Sequence, residues 1–168
     1  AILGLGLGAL TVRLFEKLNK ETYLSLFFSL TGLLILFAPP AVFRIGLNFS
    51  QLYNSWPMIG KFVLVLIILN SSFFFGGIAL AILFRNNHKE MPKLYMADLI
   101  GAGLGVLLIV QFMNWFSTPV AVFLSALPVL LAAVIKAPKL SKLFPATLLI
   151  LVLLMSHFSS ALLKSNRK

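Results

Sequence analysis

The sequence predicts an all-α integral membrane protein, a bundle of about six transmembrane helices of which the first is truncated in this chain. Three observations support this fold class. Hydrophobic residues make up 60% of the 168 residues. Charged residues make up only 11%, against the roughly 25% typical of soluble domains. Long charge-free apolar runs recur along the chain, and short basic clusters separate them, as is typical of loops at a membrane surface.

The apolar runs set the expected spans. A helix needs roughly 20 apolar residues to cross a bilayer core about 30 Å thick. Three charge-free runs hold 22, 23 and 21 residues, and a fourth, Leu99–Ile135, holds 37, which is enough for two passes. The predicted spans are about 1–12 (partial), 22–43, 61–84, 94–116, 118–135 and 143–163. Residues 1–168 are therefore expected to form a single polytopic membrane domain.

Two features qualify individual spans. The chain begins at Ala1 inside an apolar segment that is too short to cross alone, so we expect the first helix to continue upstream. Pro39 and Pro40 lie near the end of the second span and cannot continue an unperturbed helix, which predicts a kink or a stop there. A loop is expected to follow over Arg44–Gly60.

The basic residues predict an orientation. Three loops carry a basic trio each, namely Arg13/Lys17/Lys20, Arg85/Lys89/Lys93 and Lys136/Lys139/Lys142. They alternate with one loop that holds two basic residues and one that holds none. The positive-inside rule places the trios in the cytoplasm and the first residue outside. Six spans then place the basic C-terminal tail outside as well, which conflicts with the positive-inside rule. The length of the last apolar segment nevertheless favours a full crossing of the membrane.

Composition also excludes several classes of function. The net charge of +10 is explained by basic residues that anchor the loops at the membrane surface, so we expect no nucleic-acid partner. The expected partners are the lipid bilayer and membrane or soluble protein subunits. The absence of cysteine excludes disulfides and thiolate metal sites. Four acidic residues offer no carboxylate pair, and no Ser/His/Asp set is apparent. We therefore expect a chain that is not an enzyme and holds no cofactor or metal.

Two glycine motifs stand out, one in the first span and one in the fourth. Each contains a G-x-x-x-G pair, Gly4/Gly8 and Gly101/Gly105, on one face of a helix. A nucleotide-binding interpretation fails because no strand precedes either motif. Small residues at this spacing let a neighbouring helix backbone approach closely, which favours structural packing over a substrate path lined by glycine.

The segments that carry these motifs resemble each other. Ile2–Phe15 aligned with Leu99–Phe112 matches at three glycines, two leucines and one phenylalanine. The predicted topology runs them in opposite directions, as in the inverted repeats of many transporters. Chance matches between low-complexity Gly/Leu segments are the alternative.

Two polar side chains fall within or beside the spans. Asp98 is the only acid near the apolar interior. It could cap its helix or pair with Arg85, Lys89 or Lys93. The alternatives are a transport or proton role and the docking of another subunit.

Asn70 lies near the middle of the third span. Its side chain needs a polar partner in hydrocarbon, which favours packing between helices over a ligand site.

The most specific segment is Ala81–Leu108, and it resembles the membrane part of the bacterial spermidine synthase-like proteins, also described as fused transporter/spermidine synthase proteins. In that family, a helix that ends in an Arg-containing loop, here with Arg85, precedes a Leu-Tyr-x-x-Asp-Leu-x-Gly-x-x-x-Gly stretch. The matching residues here are Leu94, Tyr95, Asp98, Leu99, Gly101 and Gly105.

This resemblance implies a multi-pass protein of the bacterial inner (cytoplasmic) membrane. Family members normally carry a soluble aminopropyltransferase-like domain after the last helix, with the nucleotide-binding glycines and the catalytic acid. None of those residues lies in this chain, which ends at Lys168. The resemblance therefore implies a membrane partner of such a domain.

Three functions follow as expectations. The first is a non-catalytic membrane anchor or structural subunit that packs against a soluble spermidine synthase-like domain or other membrane subunits. The second is a small-molecule transporter, for a polyamine or a cation, which would need an acidic, water-accessible cavity around Asp98. The third is the membrane half of a spermidine synthase-like enzyme.

Overall fold

The structure, a computed structural model, describes residues 1–52, 55–115, 118–138 and 142–165, with side chains for all of these except 51, 119 and 157–165. The described residues are almost entirely helical and include no strand. They form seven α-helices: α1 (Ile2–Leu14), α2 (Leu24–Ile45), α3 (Trp56–Asn86), α4 (Met91–Trp115), α5 (Thr118–Leu124), α6 (Leu127–Lys136) and α7 (Leu143–Ser165). The all-α fold class is confirmed.

Three segments are long and apolar enough to cross a membrane by length and composition: Glu21–Ile45, Trp56–Asn86 and His88–Trp115. They contain α2, α3 and α4. Shorter apolar helical segments occupy Ile2–Leu14, Val120–Lys136, which contains most of α5 and all of α6, and Leu143–Ser156. The apolar runs of the sequence therefore coincide with helices throughout the described chain.

The two ends of the loop after the second span differ from the expectation. No stop forms at Pro39 and Pro40, because α2 runs through both prolines to Ile45. Gly46, the residue that follows, adopts the left-handed conformation with φ 62°. Glycine reaches that conformation without a steric penalty and commonly ends helices in this way. α3 begins at Trp56, ahead of the expected Lys61, with Pro57 in its first turn. A first-turn proline loses no intrahelical bond, so the helix extends into the expected loop.

The fifth expected span is a broken helix. α5 ends at Leu124 and α6 begins at Leu127. Pro128 explains the break, since it has no N–H to donate to the carbonyl four residues earlier and its ring crowds that carbonyl. The break is short: the Ser125 N–H donates to the Ala121 carbonyl at 3.0 Å, and the Leu130 N–H donates to the Ala126 carbonyl at 3.0 Å.

Two apolar clusters form the core, and α2 contributes to both. The first joins α1, α2 and α3 through Val12, Leu24, Phe27, Ile78, Ala79 and Ile82. The second joins α2, the start of α6 and α7 through Leu36, Ala126, Leu130, Leu148 and Val152. α2 therefore lies at the centre of the bundle, with α1 and α3 on one side and α6 and α7 on the other.

Helix ends that carry basic residues meet at one end of the bundle. Val12, Leu24 and Ile82 pack together there, at the end of α1, the start of α2 and the end of α3. The buried Ser25 hydroxyl donates to the Ala133 carbonyl at 2.9 Å, which brings the end of α6 alongside. We call this the basic end, because Arg13, Arg85 and Lys136 lie in the last turns of α1, α3 and α6. Lys139 and the C-terminal Arg167 and Lys168 lie outside the described residues.

Candidate functional site

Close backbone contact between α1 and α3 surrounds the first glycine motif. Gly4 and Gly8 are buried, whereas Gly6 is exposed. A Cβ added at Gly8 would collide with the Phe74 carbonyl oxygen and lie 2.7 Å from the Ile78 nitrogen. A Cβ at Gly4 would lie 2.9 Å from the Asn70 carbonyl oxygen. The close approach expected at Gly4 and Gly8 is thus present, and backbone fills the space that a substrate path would need.

The partner surface on α3 is also built around a glycine. A Cβ at Gly77 would lie 2.5 Å from the Leu5 carbonyl oxygen and 2.8 Å from the Leu5 Cα. Its neighbour Gly76 has more room, since a Cβ there would meet only Thr31 side-chain atoms at 3.6 and 3.8 Å. The sequence interpretation did not single out Gly77, although the adjacent glycines in an apolar run were a visible signal.

The second glycine motif has a different environment. Apart from adjacent atoms of α4 itself, no described atom lies within 4 Å of a Cβ added at Gly101, Gly103 or Gly105. No residue of α4 is buried, and Tyr95 is 59% exposed. Among the described elements, α4 makes its main helix contact with the short α5. The packing expected at Gly101 and Gly105 is therefore not made within the described chain.

Asp98 is exposed on α4, near the start of this unpacked surface. Within the described part of the chain it has no hydrogen bond or ion pair, so the pairing considered with Arg85, Lys89 or Lys93 is not formed. The considered capping role is not met either, because α4 begins at Met91 and has no acidic residue in its first turn. Arg85 and Lys93 have other partners: the Arg85 guanidinium donates to Glu16 Oε1 at 2.8 Å, and Lys93 Nζ lies 3.6 Å from Glu90 Oε1. Glu16 and Glu90 are closer in the fold to these bases than Asp98 is.

Arg85 connects the ends of α3 and α1. Besides its bond to Glu16, it donates to the Val12 carbonyl oxygen at 3.5 Å. Carbonyls in the last turn of a helix have no intrahelical donor, and a cation there also interacts favourably with the helix dipole. Arg85 thus acts as a C-terminal cap of α1, a role that its position in the last turn of an apolar helix did not by itself reveal.

A cavity of about 510 Å³ opens beside this cap, between α1 and α3. Its lining residues are Ala9, Val12, Arg13, Glu16, Ala81 and Arg85. A second cavity, of about 300 Å³, is almost wholly apolar. It is lined by Pro39, Pro40, Phe43, Thr118, Val122 and Phe123.

Asn70 lies in the middle of α3 and forms few bonds to other helices. Its amide nitrogen donates to the Leu66 carbonyl at 2.9 Å, within α3 itself. Its Oδ1 lies 3.3 Å from the nitrogen of Ala1, at the start of α1. Ser71 and Ser72 also bond to carbonyls three residues earlier in the same helix. Local back-bonding therefore satisfies the Asn70 amide nitrogen, for which the sequence favoured packing between helices, and the two neighbouring serine hydroxyls.

The described residues contain no group of three or more His, Cys, Asp or Glu that could hold a metal ion. Comparison with protein-family models, with curated proteins and with solved structures finds no match for the chain. The resemblance to the spermidine synthase-like family therefore stays a prediction that depends on the segment Ala81–Leu108.

Proposed function

We propose that this chain is a non-catalytic structural subunit of the bacterial inner membrane and that α4 packs against a helix of another membrane subunit. The basic end faces the cytoplasm, and six apolar passes cross the bilayer, with α5 and α6 sharing one pass. On the cytoplasmic side, the chain binds a soluble spermidine synthase-like domain, a partner implied by the family resemblance.

The observation that carries this proposal is the exposed glycine face of α4. Large apolar side chains can face lipid without cost, so the exposure of α4 alone would carry little weight. Helix association in a bilayer depends on close packing at small residues, and glycines at four-residue spacing permit it. Gly4 and Gly8 make this kind of contact with α3, whereas Gly101 and Gly105 have the same spacing and no described neighbour.

The transport alternative gains less support from the same geometry. It needs an acidic cavity, and Asp98 lines neither of the two cavities described above. One of them is lined by two arginines and one glutamate, and the other is apolar. The alternative of an enzyme half depends on the family resemblance and on no geometric feature of the described residues.

The test compares leucine substitutions on opposite faces of α4. Gly101→Leu/Gly105→Leu blocks the proposed contact face, and Gly103→Leu makes the same chemical change on the other side of the helix, where the added Cβ also has open space. The mass of the complex extracted from native membranes in mild detergent is the readout. We expect wild type and Gly103→Leu to share one complex larger than the 18.5 kDa chain, and the double variant to migrate as the lone chain.

Two results would overturn the proposal. One is a wild-type protein that is extracted as the lone chain. The other is a double variant that keeps the wild-type complex. The helical circular dichroism of each variant checks that any loss of the complex does not come from loss of the fold.

A further inference from the structure

The cavity at the basic end combines cationic and small apolar side chains. Arg13 and Arg85 supply two guanidinium groups, and Glu16 supplies one carboxylate. The small side chains of Ala9 and Ala81 leave space between the two helices. Its volume of about 510 Å³ lies within the range of roughly 300–1,000 Å³ typical of small-ligand sites.

Both arginines have hydrogen-bond donors to spare. A guanidinium carries five N–H donors, and Arg85 directs two bonds at described residues, one to Glu16 Oε1 and one to the Val12 carbonyl. Arg13 is exposed and makes no hydrogen bond or ion pair within the described ranges. Glu16 pairs with Arg85 at the edge of the cavity through one of these donors, which leaves the others available to a ligand.

The charge around the cavity favours an anion. The segments 13–21 and 85–93, which flank it, contain six Lys or Arg residues and three Glu residues. The excess of basic residues lies at the ends of two apolar helices, where the headgroups of a surrounding bilayer would lie. Basic pockets between transmembrane helices on the cytoplasmic side are a recurrent binding site for anionic lipid headgroups.

We propose that this cavity binds a phosphate group, that of an anionic lipid headgroup, with Arg13 and Arg85 donating to the phosphate oxygens. Arginine is suited to this ligand because its planar fork makes paired bonds to phosphate. Ala9 and Ala81 form the apolar side against which the glycerol region of the lipid packs. The inference depends on the membrane placement proposed above but not on the packing of α4.

The test uses the purified full chain and native mass spectrometry. Phosphatidylglycerol and phosphatidylcholine are the lipid probes, and inorganic phosphate is the free-ion probe. We expect wild type to retain phosphatidylglycerol in preference to phosphatidylcholine. Arg13→Gln should weaken that retention about tenfold, whereas Lys20→Gln, which removes a charge from the same loop outside the cavity lining, should change it less than twofold.

A second variant removes the space and keeps every charge. Ala9→Phe fills the cavity from α1 and should abolish the selective retention of phosphatidylglycerol. This variant tests the proposal independently of whether Arg13→Gln folds. Equal effects of Arg13→Gln and Lys20→Gln, or equal retention of the two lipids by wild type, would overturn the proposal. Binding of inorganic phosphate without selective binding of phosphatidylglycerol would overturn the assignment to a lipid. These readouts are independent of the mass of the extracted complex, so failure of this inference is distinguishable from failure of the proposed function.

Discussion

α1 and α4 carry nearly the same glycine motif in opposite surroundings. In α1, Gly4 and Gly8 are buried against the backbone of α3. In α4, Gly101 and Gly105 have no described neighbour within 4 Å of an added Cβ. The difference lies in the opposing surface, because α3 offers Gly77 to α1 and no described helix offers an equivalent surface to α4. The motif therefore permits close packing, and the neighbouring helix determines whether it occurs.

The largest expected effect comes from the same substitution in the two motifs. Gly8→Leu places a side chain against the α3 backbone, which cannot give way as a flexible side chain would, and should lower the free energy of unfolding by about 3 kcal/mol. Gly105→Leu enters open space and replaces glycine with a better helix former, so it should leave this free energy unchanged or raise it by up to about 1 kcal/mol. Equilibrium unfolding in mixed micelles measures both. Similar losses in the two variants would remove the distinction between the motifs.

A smaller effect is expected from the α3 side of the same contact. Gly77→Ala forces a methyl group toward the Leu5 carbonyl and should lower the free energy of unfolding by about 1–2 kcal/mol. Gly76→Ala, one residue earlier, meets only ordinary contacts with Thr31 and should be neutral or slightly stabilising. The same unfolding assay applies. If Gly77→Ala were as stable as Gly76→Ala, the backbone contact between α1 and α3 would not be as close as described.

The smallest effect concerns the ion pairs associated with the two helices. Glu16→Gln breaks the exposed pair that connects α1 to α3 and should lower stability by about 0.5 kcal/mol, with a smaller difference at high salt. Lys93→Gln breaks a local pair with Glu90, at the start of α4, and should cost no more than about 0.3 kcal/mol. Chemical unfolding at low and high ionic strength separates the two. A larger effect of Lys93→Gln than of Glu16→Gln would contradict the ranking of the two ion pairs.

The helical fold was predictable because long apolar runs separated by basic clusters indicate a membrane protein, and a chain that crosses hydrocarbon must hydrogen-bond its own backbone, as a helix does. Boundaries were less predictable: α2 continues through Pro39 and Pro40, and α3 starts at Trp56 inside the expected loop. The sequence identified Gly4 and Gly8 as packing positions but did not indicate that α3 would cover them. It could not identify Glu16 as the partner of Arg85, because that pairing depends on the approach of α1 to α3.

The central claim is that the glycine face of α4 contacts a helix of another subunit. Because the chain contains no cysteine, a single cysteine can carry a photocrosslinker at one chosen position. Leu108 lies on the same face of α4 as Gly101 and Gly105, and Val110 lies on the opposite face; their exposures in this chain are nearly equal, at 52% and 54%. In native membranes, we predict that the crosslinker at position 108 gives a protein adduct of one fixed mass and that the crosslinker at position 110 gives mainly lipid adducts. Lipid adducts at both positions, or the same protein adduct at both, would contradict the claim.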